Sequence, residues 1–221
     1  MRSAAILIPL TLFVVAGCGS GSGTSTEAAT TGESSTGACS SVEAPAARKD
    51  GGAKRPSQRL DPQKTYRLVF TTNCGAFTVT LDQAQSPATS ASLVSLARAG
   101  FFDNTVFHRI VPGFVIQGGD PTQSGTGGPG YKTEDKPPSG ARYVKGVVAM
   151  AKTQVESAGT SGSQFFVVTG DDIGLPPDYA IVGKVTSGLA TVDRIGELGD
   201  PATEQPTQPV VIEKASVVEQ P

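Results

Sequence analysis

Short runs in which apolar and polar residues alternate occupy much of the chain after residue 59. Tyr66–Phe70 and Phe77–Leu81 are two such runs, and Asn73-Cys74-Gly75 between them is typical of a β-hairpin turn. Further apolar runs of strand length are Thr105–Ile110, Phe114–Gln117, Gly146–Ala151, Gln164–Thr169, Ala180–Val185 and Val210–Val218. The pattern therefore predicts a mainly β domain.

Two segments have the pattern of helices instead. Ser86-Pro87 combines a capping residue with proline at the first helical position, and Gly100 ends the apolar face that follows. A second short helix is predicted at Leu189–Ile195. Many short strands with only two helices indicate an antiparallel barrel or sandwich, and a closed barrel would leave no open edge.

The N-terminus resembles an export signal. Met1-Arg2 precedes the apolar run Ala4–Ala16, which is too short to span a bilayer as a helix and is typical of a signal peptide. Val15-Ala16-Gly17-Cys18 resembles the lipobox of bacterial lipoproteins, which implies cleavage before Cys18 and its lipidation. We therefore expect a lipid anchor at the extracytoplasmic face of a bacterial cell membrane. An ordinary secretory signal is the alternative.

Composition divides the chain into a signal peptide (1–17), a lipidated cysteine with a flexible Gly/Ser/Thr-rich linker (18–58), and a domain (59–221). Two cysteines then remain, Cys39 and Cys74. In an exported chain, an even number of cysteines besides the lipidated one predicts a disulfide. Here it would tie the end of the linker to the first hairpin. Two free thiols are the alternative.

Charge and histidine content exclude two classes of function. The 221 residues carry a formal net charge of −2, without the basic excess of nucleic-acid binders. A single histidine argues against a His-based metal site. We expect no cofactor, no metal and no nucleic-acid partner, and we expect a monomer.

Five motifs resemble the cyclophilin family, in that family's order. Phe107–Asp120 (FHRIVPGFVIQGGD) matches its signature, and the shorter motifs are Gly125–Gly128, Met150-Ala151, Gly162–Phe166 and Val182–Val185. The resemblance covers about Tyr66 to Val218. It implies an eight-stranded antiparallel closed β-barrel capped by two α-helices. It also implies peptidyl-prolyl cis-trans isomerase activity on polypeptides with Xaa-Pro bonds, bound in a groove on the barrel's outer face.

The resemblance also assigns site residues. Arg109 matches the catalytic arginine, whose planar cation can stabilise a twisted amide; a surface ion pair is the alternative. The residues that match the substrate groove are Phe114, Val115, Gln117, Gly125, Ala151, Lys152, Phe166, Leu175 and Tyr179. Strand periodicity alone does not separate the apolar members of this set from barrel core.

Three departures from the family pattern affect the predicted function. Gly174 stands where drug-sensitive members have a Trp that helps to bind cyclosporin, so the resemblance does not extend to tight cyclosporin binding. Lys152 replaces a common Asn, which suggests an altered charge preference, and Thr153–Thr160 is longer than in compact members. A proline-peptide-binding chaperone or scaffold with little turnover is the alternative to an isomerase.

Overall fold

The strands of the computed structural model, which describes residues 37–221, close into a barrel. The strands are β1 (Thr65–Thr72), β2 (Gly75–Leu81), β3 (Thr105–Val111), β4 (Val115–Asp120), β5 (Thr133–Glu134), β6 (Val147–Met150), β7 (Thr160–Ser161), β8 (Phe165–Val168), β9 (Ile181–Ser187) and β10 (Val211–Gln220). Eight of them pair in the order β1-β10-β3-β4-β8-β6-β9-β2, and all the pairings are antiparallel. The predicted barrel is confirmed.

Alternation along each strand separates the barrel interior from its outer face. In β8, Phe165 belongs to the interior core, whereas the next residue, Phe166, belongs to an apolar cluster outside it. The ring centroid of Phe165 lies 5.1 Å from that of Phe70 and 6.0 Å from that of Phe107. Aromatic rings thus fill the interior, and strand β8 presents an apolar side chain to each face.

Both predicted helices are present, as α1 (Pro87–Arg98) and α2 (Leu189–Gly196). Pro87 occupies the first turn of α1, and Gly100 follows its end with a φ of 66°. No helix within residues 37–221 has the length and apolar character needed to cross a membrane.

The start of α1 is capped differently from the sequence prediction. The Ser86 hydroxyl donates to the carbonyl oxygen of Ile181 at 2.6 Å instead of capping the helix. The backbone amides of Ala88 and Thr89 donate to the carboxylate of Asp135, at 3.3 and 2.6 Å. A side chain remote in sequence therefore accepts hydrogen bonds from the backbone amides that have no partner within α1.

Strands β5 and β7 were not predicted. They contain two residues each and pair with one another outside the barrel. Two residues are too few to show a period-two pattern, so the sequence carried no signal for them. This small sheet joins the segment after the Gly-rich turn, defined as residues 121–129, to the segment before β8.

The N-terminal strap, defined as residues 39–53, lies on the barrel, which differs from the predicted flexible linker. It has no regular secondary structure. The backbone amides of Ser40 and Arg48 donate to the carbonyl oxygens of Asn73 and Pro121, at 2.8 and 2.7 Å, and Ala53 packs against the core. The composition predicted flexibility because this segment contains few apolar side chains that could be buried. Backbone hydrogen bonds to the barrel hold the strap in place.

Cys39 and Cys74 form a disulfide, as predicted, with their Cα atoms 4.0 Å apart. Cys74 is buried in the turn between β1 and β2, so the bond fixes the start of the strap to this hairpin. The predicted signal peptide, the lipidation site Cys18 and the linker up to residue 36 lie outside the described residues.

Candidate functional site

A cavity of about 280 Å³ opens on the outer face of the barrel. Nine residues with a sequence-predicted role line it: Arg109, Phe114, Val115, Gln117, Ala151, Lys152, Phe166, Leu175 and Tyr179. They come from strands β3, β4 and β8 and from the connections that follow β3, β6 and β8. The barrel thus brings together side chains that are widely spaced in the sequence.

The apolar part of this cavity lies outside the barrel core. Val115 and Phe166 are buried in the outer apolar cluster, and Phe114, Leu175 and Tyr179 pack against that cluster with partial exposure. Because strand side chains alternate, Val115 and Phe166 lie on the opposite face of the sheet from Ile116 and Phe165. The cavity therefore has an apolar floor and an apolar wall.

Arg109 projects from β3 to the edge of the apolar pocket. Its Nε donates to Glu204 Oε2 at 2.6 Å, and its Nη1 lies 3.4 Å from Gln117 Oε1. The Arg109 side chain keeps 34% of its surface exposed. The ion pair therefore orients the guanidinium through one nitrogen, while the outer part of its fork remains accessible.

Gln117 connects Arg109 to a second side-chain amide. Its Nε2 donates to Gln164 Oε1 at 3.0 Å, and Gln164 Nε2 donates to the carbonyl oxygen of Gly127 at 2.9 Å. A carbonyl oxygen can only accept, so Gln164 turns its amide nitrogen to Gly127 and its oxygen to Gln117. The orientations of both amides follow from that one carbonyl.

Gly125 lines an adjoining cavity of about 150 Å³, which shares Gln117, Ala151 and Lys152 with the first. Its φ of 83° lies in the left-handed region that favours glycine. At Gly127, a Cβ would collide with Asp120 Oδ1. The Gly-rich turn is therefore shaped by close packing, and Gly125 lines the smaller cavity and not the 280 Å³ cavity.

Asp120 fixes the Gly-rich turn from beneath. Its fully buried carboxylate accepts hydrogen bonds from the amides of Thr122, Gly125 and Gly127, at 2.7, 2.7 and 3.1 Å, and from the Thr122 hydroxyl at 2.8 Å. Burial alone would raise the pKa of Asp120, but these hydrogen bonds outweigh it and hold the pKa below its usual value. The turn is thus built around a charged carboxylate.

Tyr179 forms one wall of the 280 Å³ cavity. Its ring packs edge-on against Phe166 at 5.6 Å and against Tyr143 at 6.0 Å between centroids. The buried Tyr143 hydroxyl donates to the carbonyl oxygen of Tyr179 at 2.7 Å and accepts from its amide at 3.0 Å. These contacts fix the backbone and the ring of Tyr179.

Lys152 lies between the two cavities, but its charge is satisfied within the protein. Its side chain is only 3% exposed, its Nζ lies 2.6 Å from Asp178 Oδ2, and it donates to the Glu156 carbonyl oxygen at 3.0 Å. The ammonium also lies 5.5 Å from the centroid of the Tyr179 ring. The charge preference suggested by the sequence is not supported, because this ammonium is already neutralised.

His108, the only histidine of the chain, lies under the Gly-rich turn near Gly125. Within residues 37–221 neither ring nitrogen makes a hydrogen bond of normal geometry. Burial lowers the pKa of His108; the charge of Asp120 opposes this, and the charge of Arg109 adds to it. A neutral imidazole is therefore favoured at this position.

The arrangement provides a fixed cation and an oriented amide beside an apolar pocket. Among residues 37–221, the side chains that line the cavity include no nucleophile paired with a base within hydrogen-bonding distance. Among residues 37–221 there is also no group of three or more His, Cys, Asp or Glu side chains that could hold a metal ion. The fixed cation and the oriented amide beside the apolar pocket suit a reaction in which a bound chain changes conformation.

Comparison with known proteins identifies the family. Residues 67–217 match the model of the cyclophilin type peptidyl-prolyl cis-trans isomerase/CLD family. The chain belongs to the cyclophilin family. The predicted enzyme class, a peptidyl-prolyl cis-trans isomerase, is thereby confirmed at the level of the family, and the strap lies outside the matched residues.

Individual relatives agree with this membership. Peptidyl-prolyl cis-trans isomerase-like 1 of the fungus Gibberella zeae is 38% identical over 160 residues, which cover 71% of this chain and 97% of the relative. Peptidyl-prolyl cis-trans isomerase CYP18-2 of Arabidopsis thaliana is 35% identical over 156 residues, covering 69% and 93%. A crystal structure of a Cryptosporidium parvum cyclophilin in the presence of the dipeptide Ala-Pro superposes with a TM-score of 0.64 at 29% identity, covering 69% of this cyclophilin and 98% of the other.

Four residues that organise the site were not predicted from the sequence. Asp120 and Gln164 lie inside the cyclophilin-like motifs, so their presence was visible although their contacts were not. Glu204 and Asp178 lie outside those motifs, and no local signal marks them. Their roles become apparent only once the fold places them beside Arg109 and Lys152.

Proposed function

We propose that this cyclophilin accelerates rotation about Xaa-Pro bonds in exported proteins, with Arg109 as its electrostatic catalyst. The observation that carries the proposal is the position of the Arg109 guanidinium at the edge of the apolar cavity, held by Glu204 and adjacent to Gln117. The membership of the family supports the reaction. The residue roles rest on the geometry and on the motif positions.

The chemistry requires stabilisation of a twisted amide. Rotation breaks amide resonance against a barrier of about 18–20 kcal/mol. In the twisted state the proline nitrogen regains its lone pair and can accept a hydrogen bond. A fixed donor cation stabilises that state more than either planar state, and such selective binding accelerates the reaction.

Each part of the site has a task in this mechanism. The floor formed by Val115 and Phe166 holds the proline ring, and the accessible nitrogens of Arg109 donate to the proline nitrogen. Gln117 uses one amide hydrogen on Gln164, so its second remains for a substrate carbonyl. No proton is transferred, and His108 therefore needs no acid–base role.

The test is isomerisation of an Ala-Pro peptide by the full chain, with Arg109→Ala beside it. Removal of the cation is expected to lower kcat/KM roughly 100-fold, the size seen when one transition-state donor is lost. Arg142→Ala is the matched control, because Arg142 is an exposed arginine paired with Asp172 and does not line the cavity. Nuclear magnetic resonance exchange measures both variants.

Three outcomes are distinguishable. Wild-type turnover in Arg109→Ala would exclude Arg109 as the catalyst. A folded wild type that binds the peptide without accelerating isomerisation would replace the enzyme by a peptide-binding module. A large loss in Arg109→Ala with intact Arg142→Ala, and with peptide affinity largely kept, supports the proposal.

We also propose that the protein is a lipoprotein anchored through Cys18 at the extracytoplasmic face of a bacterial cell membrane. Val15-Ala16-Gly17-Cys18 supports the cleavage site, and the Cys39–Cys74 disulfide agrees with an oxidising compartment. Labelling with a radioactive fatty acid in a bacterial host should mark the wild type and not Cys18→Ser. Cys39→Ser serves as the control, which should remain labelled. Label retained by Cys18→Ser would refute the assignment.

A further inference from the structure

The strap binds both ends of the Gly-rich turn. The Arg48 amide donates to the carbonyl oxygen of Pro121 at 2.7 Å. The Gly51 amide donates to the carbonyl oxygen of Gly128 at 3.0 Å, and the Ala53 amide donates to that of Pro129 at 3.1 Å. The segment that carries Gly125 is therefore tied to the strap both before and after Gly125 in the sequence.

Asp50 adds a contact of a different kind. Its Oδ1 accepts a hydrogen bond from the Gly128 amide at 2.7 Å. The carbonyl of the same peptide group belongs to Gly127, and it accepts from Gln164 Nε2 at 2.9 Å. One peptide plane is thus held at its N–H by a carboxylate and at its C=O by a side-chain amide.

These contacts extend to the proposed catalyst. From Gln164 the hydrogen bonds continue to Gln117 at 3.0 Å, and Gln117 Oε1 lies 3.4 Å from Arg109 Nη1. A carboxylate acceptor makes the first bond charge-assisted, and hydrogen bonds in series polarise one another. The carboxylate of Asp50 therefore strengthens the acceptor at Gly127 that sets the orientation of both glutamine amides.

We infer that Asp50 is a positioning residue of the active site, acting on Arg109 through the Gly127–Gly128 peptide, Gln164 and Gln117. The inference rests on the proposed function only in treating Arg109 and Gln117 as the groups that act on substrate. Asp50 lies outside the residues that match the cyclophilin family, so this connection is a feature of this chain's own N-terminal strap.

The experiment compares three substitutions in the full chain. Asp50→Ala removes the acceptor, and Asp50→Asn keeps an acceptor oxygen without the charge. Lys49→Ala is the matched control, because Lys49 is the exposed neighbour and makes no hydrogen bond or ion pair among residues 37–221. The readouts are hydrogen exchange at the Gly128 amide, the side-chain amide resonances of Gln164 and Gln117, and kcat/KM on an Ala-Pro peptide.

In Asp50→Ala we expect exchange at Gly128 to rise by about tenfold or more, and the resonances of both glutamines to shift. We expect kcat/KM to fall about fivefold, within the range for residues that act through a chain of contacts. Asp50→Asn should recover most of the loss, and Lys49→Ala should match the wild type.

Two results would overturn the inference. One is that, in Asp50→Ala, hydrogen exchange at the Gly128 amide and the side-chain resonances of both glutamines match those of the wild type. The other is resonances that shift while kcat/KM does not change. A wild type without isomerase activity would instead defeat the proposed function, and the exchange and resonance data would still decide whether Asp50 orients the two glutamines.

Discussion

His108 gives the protein a pH response that can be assigned to one side chain. It is the only histidine, and burial lowers its pKa below the ordinary value of 6.5. As the pH falls below 6.5, the unfolded chain binds a proton that the folded chain resists. The contribution of neutral His108 to stability is therefore fully present above pH 6.5. It is lost as the pH falls toward the pKa of His108 in the folded chain.

Thermal unfolding between pH 7.5 and 5 measures this effect. The midpoint of the wild type should fall across the window, and His108→Gln should show a flatter profile because it has no imidazole to titrate. The quantity compared is the slope of the unfolding midpoint against pH, and not the absolute stability of the variant. Equal slopes in the two proteins would show that His108 is readily protonated in the fold.

The Lys152 side chain has a structural role in this protein. The family resemblance assigns the backbone at this position to pairing with bound peptide, and the Lys152 ammonium is enclosed by Asp178 and the Glu156 carbonyl oxygen. A charge this buried needs a partner, and the partner also draws the Lys152 chain against the Tyr179 ring. The residue therefore supports the cavity wall.

At the scale of elements, the strands and helices follow from local pattern. The hairpin at Asn73-Cys74, the proline at the start of α1 and the closing strand β10 were all predictable, since each depends on neighbours in sequence. Asp135 caps α1 from 46 residues away, and Asp50 reaches Gly128 from 78. Contacts between such distant residues depend on how the barrel folds, and residue pattern does not encode them locally.

Only part of the candidate site could be predicted from the sequence, for the same reason. The motifs identified the lining residues because family resemblance preserves residue type and order. They did not identify Glu204, which contacts Arg109 across 95 residues, nor the docking of the strap. Low hydrophobicity indicated a flexible linker, but a segment held by backbone hydrogen bonds needs few apolar side chains.

At the scale of the whole molecule, the Cys39–Cys74 bond closes a loop across 35 residues. The chain-entropy relation gives about 4 kcal/mol of stabilisation for a loop of this length. Reduction should therefore lower the thermal midpoint by roughly 10 °C.

Calorimetry with and without a reducing agent measures the difference. Cys39→Ser is the control, because its midpoint should not respond to the reductant. Equal midpoints for the oxidised and reduced wild type would show that the bond contributes little to stability.

The pairing of β1 with β10 has a consequence for how the protein is made. Thr65 pairs with Gln220, so one seam of the barrel joins the first strand to the last. At ribosomal rates of about 5–20 residues per second, β1 is synthesised roughly 8 to 30 seconds before its partner. During that interval β1 has β2 on one side and an open edge on the other, the kind of edge that invites pairing with foreign strands. Barrel closure is therefore a late step in biogenesis, and a growing chain depends on protection of that edge until β10 is available.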